Sequence, residues 1–272
     1  MPAKQDDIAF RNWRCPVAYG SMLQLDYPAW AGQCLWRVPA FAAPLSSQAT
    51  TPPLIVKPAP NLSVIRLDRD GPLQPWGLHF VTAPRADLAS SLVMWRSDFD
   101  PAVVAAQVVP ARDTDHDALD VSRLAKPVLV ATDEPGREYL LIGDGTGQIR
   151  LDIRGGTVLE GPVRLNYDLE GASAVAAKLQ AVQRLLALMR KGRWPRRLSR
   201  ISGWARRWMM ALRTFDGCAD GASQREIAAA LFGAAVAERD WDGPSTYLRS
   251  RMRRLVNLGK ALVYGGYRDL LK

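Results

Sequence analysis

The middle of the chain shows the alternation of apolar and polar residues that is typical of short strands. Between residues 61 and 165, runs rich in β-branched and aromatic residues are separated by Pro, Gly and Asp. These runs are WGLHFV, SLVMW, PVLVATD, REYLLIGD and QIRLDI. The last three are joined by EPG and DGTG, which favour tight turns, so they predict successive hairpins. We therefore expect a mostly antiparallel β region over 61–165.

Beyond residue 165 the apolar spacing changes to the three- and four-residue intervals of helices. GASAVAAKLQAVQRLLALMRKG predicts a helix that stops at Gly192, and a second helix is expected over 201–215, ending at Gly217. In GASQREIAAALFG, Ser223 precedes Glu226 by three residues, which is the spacing of a capping box. The pattern predicts a helical domain over 166–272.

The last long helix, expected over 245–260, divides into two faces. Leu248, Met252, Leu255, Gly259 and Leu262 share one apolar stripe. Thr246, Ser250, Arg253, Arg254 and Asn257 occupy the opposite side, flanked by Arg249 and Lys260. No acidic residue lies between Asp242 and Asp269. Because crowded like charges repel each other, this face is suited to binding an anion.

The N-terminal part is aromatic and proline-rich. Pro16 and Pro28 suit the first turns of helices, so two short helices are predicted over about 16–24 and 28–37 within a helical unit 1–43. The stretch 44–60 has no period and predicts a linker. The fold class expected overall is α+β, with this unit, the linker, the β region and the helical domain in that order.

Charge sharpens the picture of the C-terminal part. The chain of 272 residues has a formal net charge of +9, but residues 172–272 carry 20 Lys and Arg against 7 Asp and Glu. The preceding 171 residues carry 16 and 20 respectively. Such an asymmetry indicates an anionic partner for the C-terminal part, although a basic surface that only aids solubility is the simpler alternative.

Enzyme and metal signatures are weak. The three cysteines lack CxxC spacing, and the two histidines lie in no nucleophile–base motif. GDGTG is followed by a strand pattern where a phosphate loop needs a helix, and the Asp113, Asp115, Asp117 series lacks the glycine and glutamate of a calcium loop. With no membrane-length apolar run or secretory signal, we expect a cytoplasmic, nucleoid-associated non-enzyme without cofactor or metal.

Double-stranded DNA is the anionic partner that fits the last two helices best. The helix at 223–232 would support the helix at 245–260, which would enter the major groove in a variant helix-turn-helix. The connection of about twelve residues is longer than usual, so an extra turn or short helix is expected within GAAVAERDWDGP. The candidate DNA contacts are Gln224, Arg225, Thr246, Arg249, Ser250, Arg253, Arg254, Asn257 and Lys260.

GASQREIAAALFGAAVAERDWDG and LRSRMRRLVNLGKALVYGGYRDLL resemble the C-terminal DNA-binding domain of the RovC-like transcription factors. WRCPVAY and LDYPAWAGQCLWRVPAF resemble the small N-terminal domain of FseA-type activators carried by integrative and conjugative elements, although Gly32, Gln33, Cys34, Trp36 and Val38 depart from that pattern. The resemblance implies an oligomeric, sequence-specific transcriptional regulator, usually an activator, of mobile-element or secretion genes. Its expected protein partner is RNA polymerase or a small anti-activator protein.

A second hypothesis stays open at this point. The basic face could instead dock an acidic protein partner, which would make the chain a protein-interaction or anti-activator module.

Overall fold

The computed structural model describes residues 12–47, 55–67, 71–82, 92–144, 147–193 and 203–272. The architecture is α+β, as predicted, and the chain divides into two compact units. The first, here called the helical unit, contains the described residues up to 42 and from 203 to 270. The second, the sheet unit, contains those between 43 and 193 together with Leu271 and Lys272.

The described part of the sheet unit contains a seven-stranded sheet in the order β1-β2-β6-β7-β8-β5-β9. Its pairs are antiparallel except β2–β6 and β5–β8, so the predicted mostly antiparallel region is confirmed. A separate hairpin pairs β3 with β4. The strands are β1 Val56–Ala59, β2 Leu62–Arg66, β3 Leu78–Val81, β4 Val93–Trp95, β5 Val104–Pro110, β6 Val128–Thr132, β7 Glu138–Asp144, β8 Gly147–Gly155 and β9 Val163–Asp168.

The two faces of the sheet are covered differently. Helix α3, Val175–Lys191, packs on one face through Ala181, Leu185 and Leu188, and it ends at Gly192 in a left-handed cap as predicted. On the other face, Met94 of β4 joins a smaller cluster of apolar side chains from β2, β6 and β7. Burying apolar surface on both faces explains why several strands read as continuous apolar runs.

The helical unit combines both ends of the described chain. A 3-10 helix, Pro16–Gln24, precedes α1 Tyr27–Leu35 and α2 Pro39–Ser47. The later helices are α4 Ala205–Ala219, α5 Gln224–Phe232, α6 Ala234–Trp241, α7 Tyr247–Val263 and a 3-10 helix, Gly266–Leu270. The expected extra helix between α5 and α7 is α6, and α1 packs against the 3-10 helix Gly266–Leu270.

Several predicted boundaries differ from the structure. Strand β1 lies within the predicted linker 44–60, because it pairs with β2, and α2 extends into that linker's start. The division at 165/166 falls inside β9, and α3 belongs to the sheet unit because its apolar stripe completes the sheet's core.

Helix α4 continues to Ala219 instead of ending at Gly217. A Cβ at that glycine would lie 2.9 Å from Ile227 Cγ1 and 3.1 Å from Trp13 Cδ2. The glycine therefore permits close packing inside the helix and does not mark its end.

Candidate nucleic-acid interface

Helix α7 packs against the rest of the helical unit through its apolar stripe. Leu248, Met252, Leu255, Gly259 and Leu262 are all buried, as their spacing predicts. The glycine sets the approach to α4, since a Cβ there would lie 2.6 Å from the Ala211 carbonyl oxygen. Each buried Leu or Met contributes roughly 1.5–3 kcal/mol relative to an exposed one. The stripe therefore fixes which side of α7 faces outward.

The outward side of α7 is cationic and without neutralising carboxylates. Arg253, Arg254, Asn257 and Lys260 are exposed, and Ser250 is half-buried. Within the described ranges, none of these three cations forms an ion pair. Thr246 is also exposed, and its side chain makes no capping hydrogen bond at the start of α7. The face presents donors at helical spacing, which is the pattern that binds phosphates and base edges.

Two other predicted contact residues are tied to the loop between α6 and α7. Arg249 Nη1 donates to the Trp241 carbonyl oxygen at 2.9 Å, and Arg225 Nη1 lies 3.4 Å from Asp242 Oδ2. Both arginines are exposed, as is Gln224 at the first position of α5. The predicted set thus divides into a larger group on α7 with its N-cap and a smaller group at the first turn of α5.

The first turn of α5 is well formed. Ser223 Oγ accepts from the Glu226 backbone N–H at 3.3 Å, while Glu226 Oε2 accepts from the Ser223 backbone N–H at 2.8 Å. This reciprocal pair is the predicted capping box. It satisfies helix-end donors, so the positions of Gln224 and Arg225 are set by local chemistry.

Arg251 stands apart from its neighbours on α7. Its guanidinium lies 4.1 Å from the centre of the Phe232 ring, and the residue is half-buried. This cation–π contact joins α7 to the end of α5. Arg251 therefore helps to assemble the helices, and its omission from the predicted contacts agrees with that position.

Sequence reasoning missed two exposed aromatic residues on α7. Tyr247 is 62% exposed at its first turn, and Tyr264 is 65% exposed just after its end. The sequence signal that could have revealed their exposure is their position next to the polar face of α7. Of the two tryptophans at the start of α4, Trp208 is buried and Trp204 is 57% exposed.

The N-terminal segment is joined to α4 by a buried ion pair and a hydrogen bond. Arg37 donates from Nε and Nη2 to the Asp216 carboxylate of α4, at 2.9 and 2.7 Å, and Tyr19 Oη donates to it at 2.6 Å. Burial raises the pKa of the Tyr19 hydroxyl. Burial would lower the pKa of Arg37, but the nearby Asp216 carboxylate has the larger effect and holds the pKa of Arg37 above its usual value. The ion pair is almost fully buried.

Trp13 extends this contact to α5. Its ring packs on Gly217 of α4, its backbone carbonyl accepts two bonds from Arg213, and its Nε1 donates to Asp220 at 2.9 Å. Ile227 of α5 packs on the same glycine, so the N-terminal segment and α5 contact α4 at the same position.

The sheet unit contains a polar cleft of about 460 Å³, whose lining includes His79, Arg96, Asp98 and Asp152. His79 stacks on Tyr139, with 3.7 Å between ring centres. Among the described residues there is no group of three or more His, Cys, Asp or Glu side chains that would hold a metal ion. The described helices also include none that is both long and apolar enough to span a bilayer.

Comparison with known families identifies the segment that carries the cationic face. Residues 167–272 match the model of the RovC DNA-binding domain, described as "T6SS, Transcription factor, DNA binding domain". Over residues 167–272 the chain is similar to this RovC family. No curated protein matches the chain. The RovC resemblance is thereby confirmed, whereas the resemblance of 1–43 to the FseA-type N-terminal domain stays a prediction.

The RovC segment contributes to both units. It begins within β9 and includes α3, which packs on the sheet, and then α4 to α7 of the helical unit. The family description is that of a transcription-factor DNA-binding domain, and it supports a DNA-binding regulator.

Proposed function

We propose that the protein is a sequence-specific transcriptional regulator whose α7 lies in the major groove of double-stranded DNA. The observation that carries this proposal is the outward side of α7, where Arg253, Arg254 and Lys260 have no ion-pair partner among the described residues. Side chains of this kind are unfavourable neighbours in the free protein and gain attraction from phosphates. The RovC family assignment of the same segment supports the proposal independently.

The contact residues divide by chemistry. Arg253 and Arg254 suit guanine edges or phosphates, and Asn257 suits adenine. Thr246 and Ser250 are secondary contacts, and Lys260 at the flank meets a phosphate. Gln224, Arg225 and Arg249 would hold the phosphate backbone, the two arginines after exchanging their present partners near α6 for it.

The regulatory details follow from the resemblance and the family description. We propose an activator that works as a homo-oligomer at the nucleoid, with mobile-element or secretion genes, such as T6SS genes, as its targets. RNA polymerase or a small anti-activator protein is its proposed protein partner. In this scheme the chain is not an enzyme.

Binding to DNA fragments from upstream of the protein's own operon, measured across a range of salt concentrations, tests the proposal. We expect one fragment to bind well above the rest, with an affinity that falls steeply as salt rises. Footprinting on that fragment would then locate the operator.

The variant Arg253→Ala sharpens the test. It should weaken binding to the preferred fragment by roughly 1–3 kcal/mol and change binding to other fragments less. Arg123→Ala is a matched control, because Arg123 is an exposed arginine of the sheet unit that pairs with Asp113 and Asp120. It should leave DNA affinity unchanged.

Uniformly weak binding to every fragment would contradict the proposal. It would favour the second hypothesis, in which the cationic side of α7 docks an acidic protein.

A further inference from the structure

Arg14 lies outside the RovC segment, yet the fold brings it to the end of α5 that carries Gln224 and Arg225. The preceding residue, Trp13, is buried on Gly217 beneath Ile227 of α5, so the backbone of the N-terminal segment is fixed at this point. The Arg14 guanidinium stacks over the Trp13 ring, 4.0 Å from its centre, and its side chain is 59% exposed. The Arg14 guanidinium is thus held at the surface by the buried Trp13.

The charge of Arg14 reaches the first turn of α5. Hydrogen bonds from Ser223 lower the pKa of Glu226 most, and the Arg14 cation lowers it further. Asp220, which ends α4 just before α5 begins, has its pKa lowered first by the Trp13 hydrogen bond and also by Arg14. Both carboxylates are exposed, so Arg14 sits among groups that face solvent.

The partner of Arg14 holds it only loosely. Arg14 Nη1 is 3.4 Å from Asp220 Oδ2, and the two side chains are 59% and 60% exposed. Exposed ion pairs of this kind contribute little to stability, so a phosphate can replace the carboxylate at little cost. Trp13 keeps its own hydrogen bond to Asp220 and with it the position of the backbone.

We propose that Arg14 is a DNA-phosphate contact that the N-terminal segment adds to the RovC-type domain at the first turn of α5. This rests on the proposed function, because it assigns one more contact to the same DNA complex. The segment 12–42 then serves DNA binding directly, in addition to packing behind α4. Because the contact is to the backbone, it contributes affinity without sequence preference.

The test compares Arg14→Gln with the wild type on two probes, the preferred upstream fragment and a duplex of scrambled sequence, across salt. Loss of one phosphate contact should reduce the slope of log affinity against log salt by about 0.9 on both probes. At about 0.15 M salt this corresponds to roughly fivefold weaker binding. Arg154→Gln is the matched control, since Arg154 is 57% exposed and pairs with Asp168 at 2.8 Å in the sheet unit.

Asp220→Asn separates a DNA contact from a structural latch. The amide oxygen can still accept from Trp13, but the negative charge beside Arg14 is removed. If Arg14 meets phosphate, this variant should bind both probes more tightly than the wild type, opposite in sign to Arg14→Gln. If the Arg14–Asp220 pair is only a latch, both variants should weaken binding and lower the melting temperature together, which overturns the proposal.

Two further outcomes are distinct. An unchanged salt slope in Arg14→Gln, with normal fragment preference in the wild type, overturns the role of Arg14 and leaves the proposed function standing. Failure of the wild type to prefer any fragment overturns both.

Discussion

The sheet unit and the outward side of α7 differ in how their surface cations are paired. In the sheet unit, exposed Lys57, Arg112 and Arg137 have no ion pair among the described residues, but five other cations pair with carboxylates of the same unit: Arg96–Asp98, Arg123–Asp113, Lys126–Asp144, Arg154–Asp168 and Arg164–Asp115. On the outward side of α7, Arg253, Arg254 and Lys260 have no such partner in the described part of the chain. The comparison shows that unpaired positive charge is concentrated on one face of α7, whereas Arg225 and Arg239 elsewhere in the helical unit pair with carboxylates.

Both units bury an ion pair in addition to their apolar side chains. Among the described residues, the helical unit buries Arg37–Asp216 at 2.7 Å and the sheet unit buries Arg150–Asp100 at 3.7 Å. A buried pair does not add much net stability, because desolvation offsets its attraction. It does make the junction between the N-terminal segment and α4 intolerant of losing either partner.

The largest effect is expected from Asp216→Asn, which leaves Arg37 charged and buried. The variant should lose about 3–5 kcal/mol of unfolding free energy, with faster hydrogen exchange in α4 and little change in the strands. Urea unfolding combined with hydrogen exchange measures both quantities.

The control is Asp168→Asn, which removes the carboxylate of an ion pair of similar length but far greater exposure. It should cost no more than about 1 kcal/mol. Equal losses in the two variants would contradict the distinction between a buried and an exposed ion pair.

His79 gives a pH-dependent comparison. Burial, with a contribution from Arg96, lowers the pKa of His79 to about 4, so the folded sheet unit holds it neutral. The unfolded chain protonates below about pH 6.5, so stability should fall as pH drops from about 6.5 towards 4. Between pH 7 and 5 the wild type should lose about 2 kcal/mol more than His79→Gln.

The comparison with His79→Gln isolates this effect, because Asp152, whose pKa is raised by burial, acts with the opposite sign in both proteins. Both histidines of the chain lie in the sequence of the sheet unit, so the helical unit should be insensitive to this titration. Urea unfolding at several pH values checks the slopes, and parallel profiles for the two proteins would refute the assignment.

Gly259→Ala tests the close crossing of α4 and α7. The added Cβ would lie 2.6 Å from the Ala211 carbonyl oxygen. Because this oxygen is a backbone atom of α4, it cannot easily move away. Overpacking costs roughly 1–3 kcal/mol and is partly offset by about 1 kcal/mol of helix propensity, so a net loss of about 1–2 kcal/mol is expected. Gly20→Ala has open space and should change the melting temperature little; a stabilised Gly259→Ala would show that the helices do not approach so closely.

The smallest effect is expected from Arg251→Ala, which removes the contact with Phe232. It should lower unfolding free energy by about 0.5–1 kcal/mol and leave the salt dependence of DNA binding unchanged. Arg253→Ala should do the reverse, with unchanged stability and weaker DNA binding. If both variants behaved alike, the division of α7 arginines into packing and contact residues would be wrong.

The elements that the sequence predicts well are those with a strong local signal. The stripe from Leu248 to Leu262, the capping box at Ser223 and the stop at Gly192 each depend on nearby residues, and the structure confirms all three. The hairpin strands β6 to β8 were likewise predictable from alternation and turns.

The missed features depend on contacts distant in sequence. Strand β5 pairs with β8 and β9, and β1 forms only because β2 is beside it, so neither has a sufficient local signal. Gly217 was predicted to end a helix because nothing local reveals that Trp13 packs against it. Arg14 could not be placed beside α5 for the same reason, since the two are about 210 residues apart.

The helical unit is built from segments that flank the whole sheet unit, and this has a consequence for synthesis. The segment 12–42 leaves the ribosome about 160 residues before α4 does, which at about 5–20 residues per second means a delay of roughly 10–30 s. During that interval Trp13, Trp30 and Arg37 have no helix to pack on, and they require α4 for their burial. A nascent chain therefore cannot complete the helical unit until translation has passed α7, so prematurely terminated products should leave Trp13, Trp30 and Arg37 without the helices that bury them.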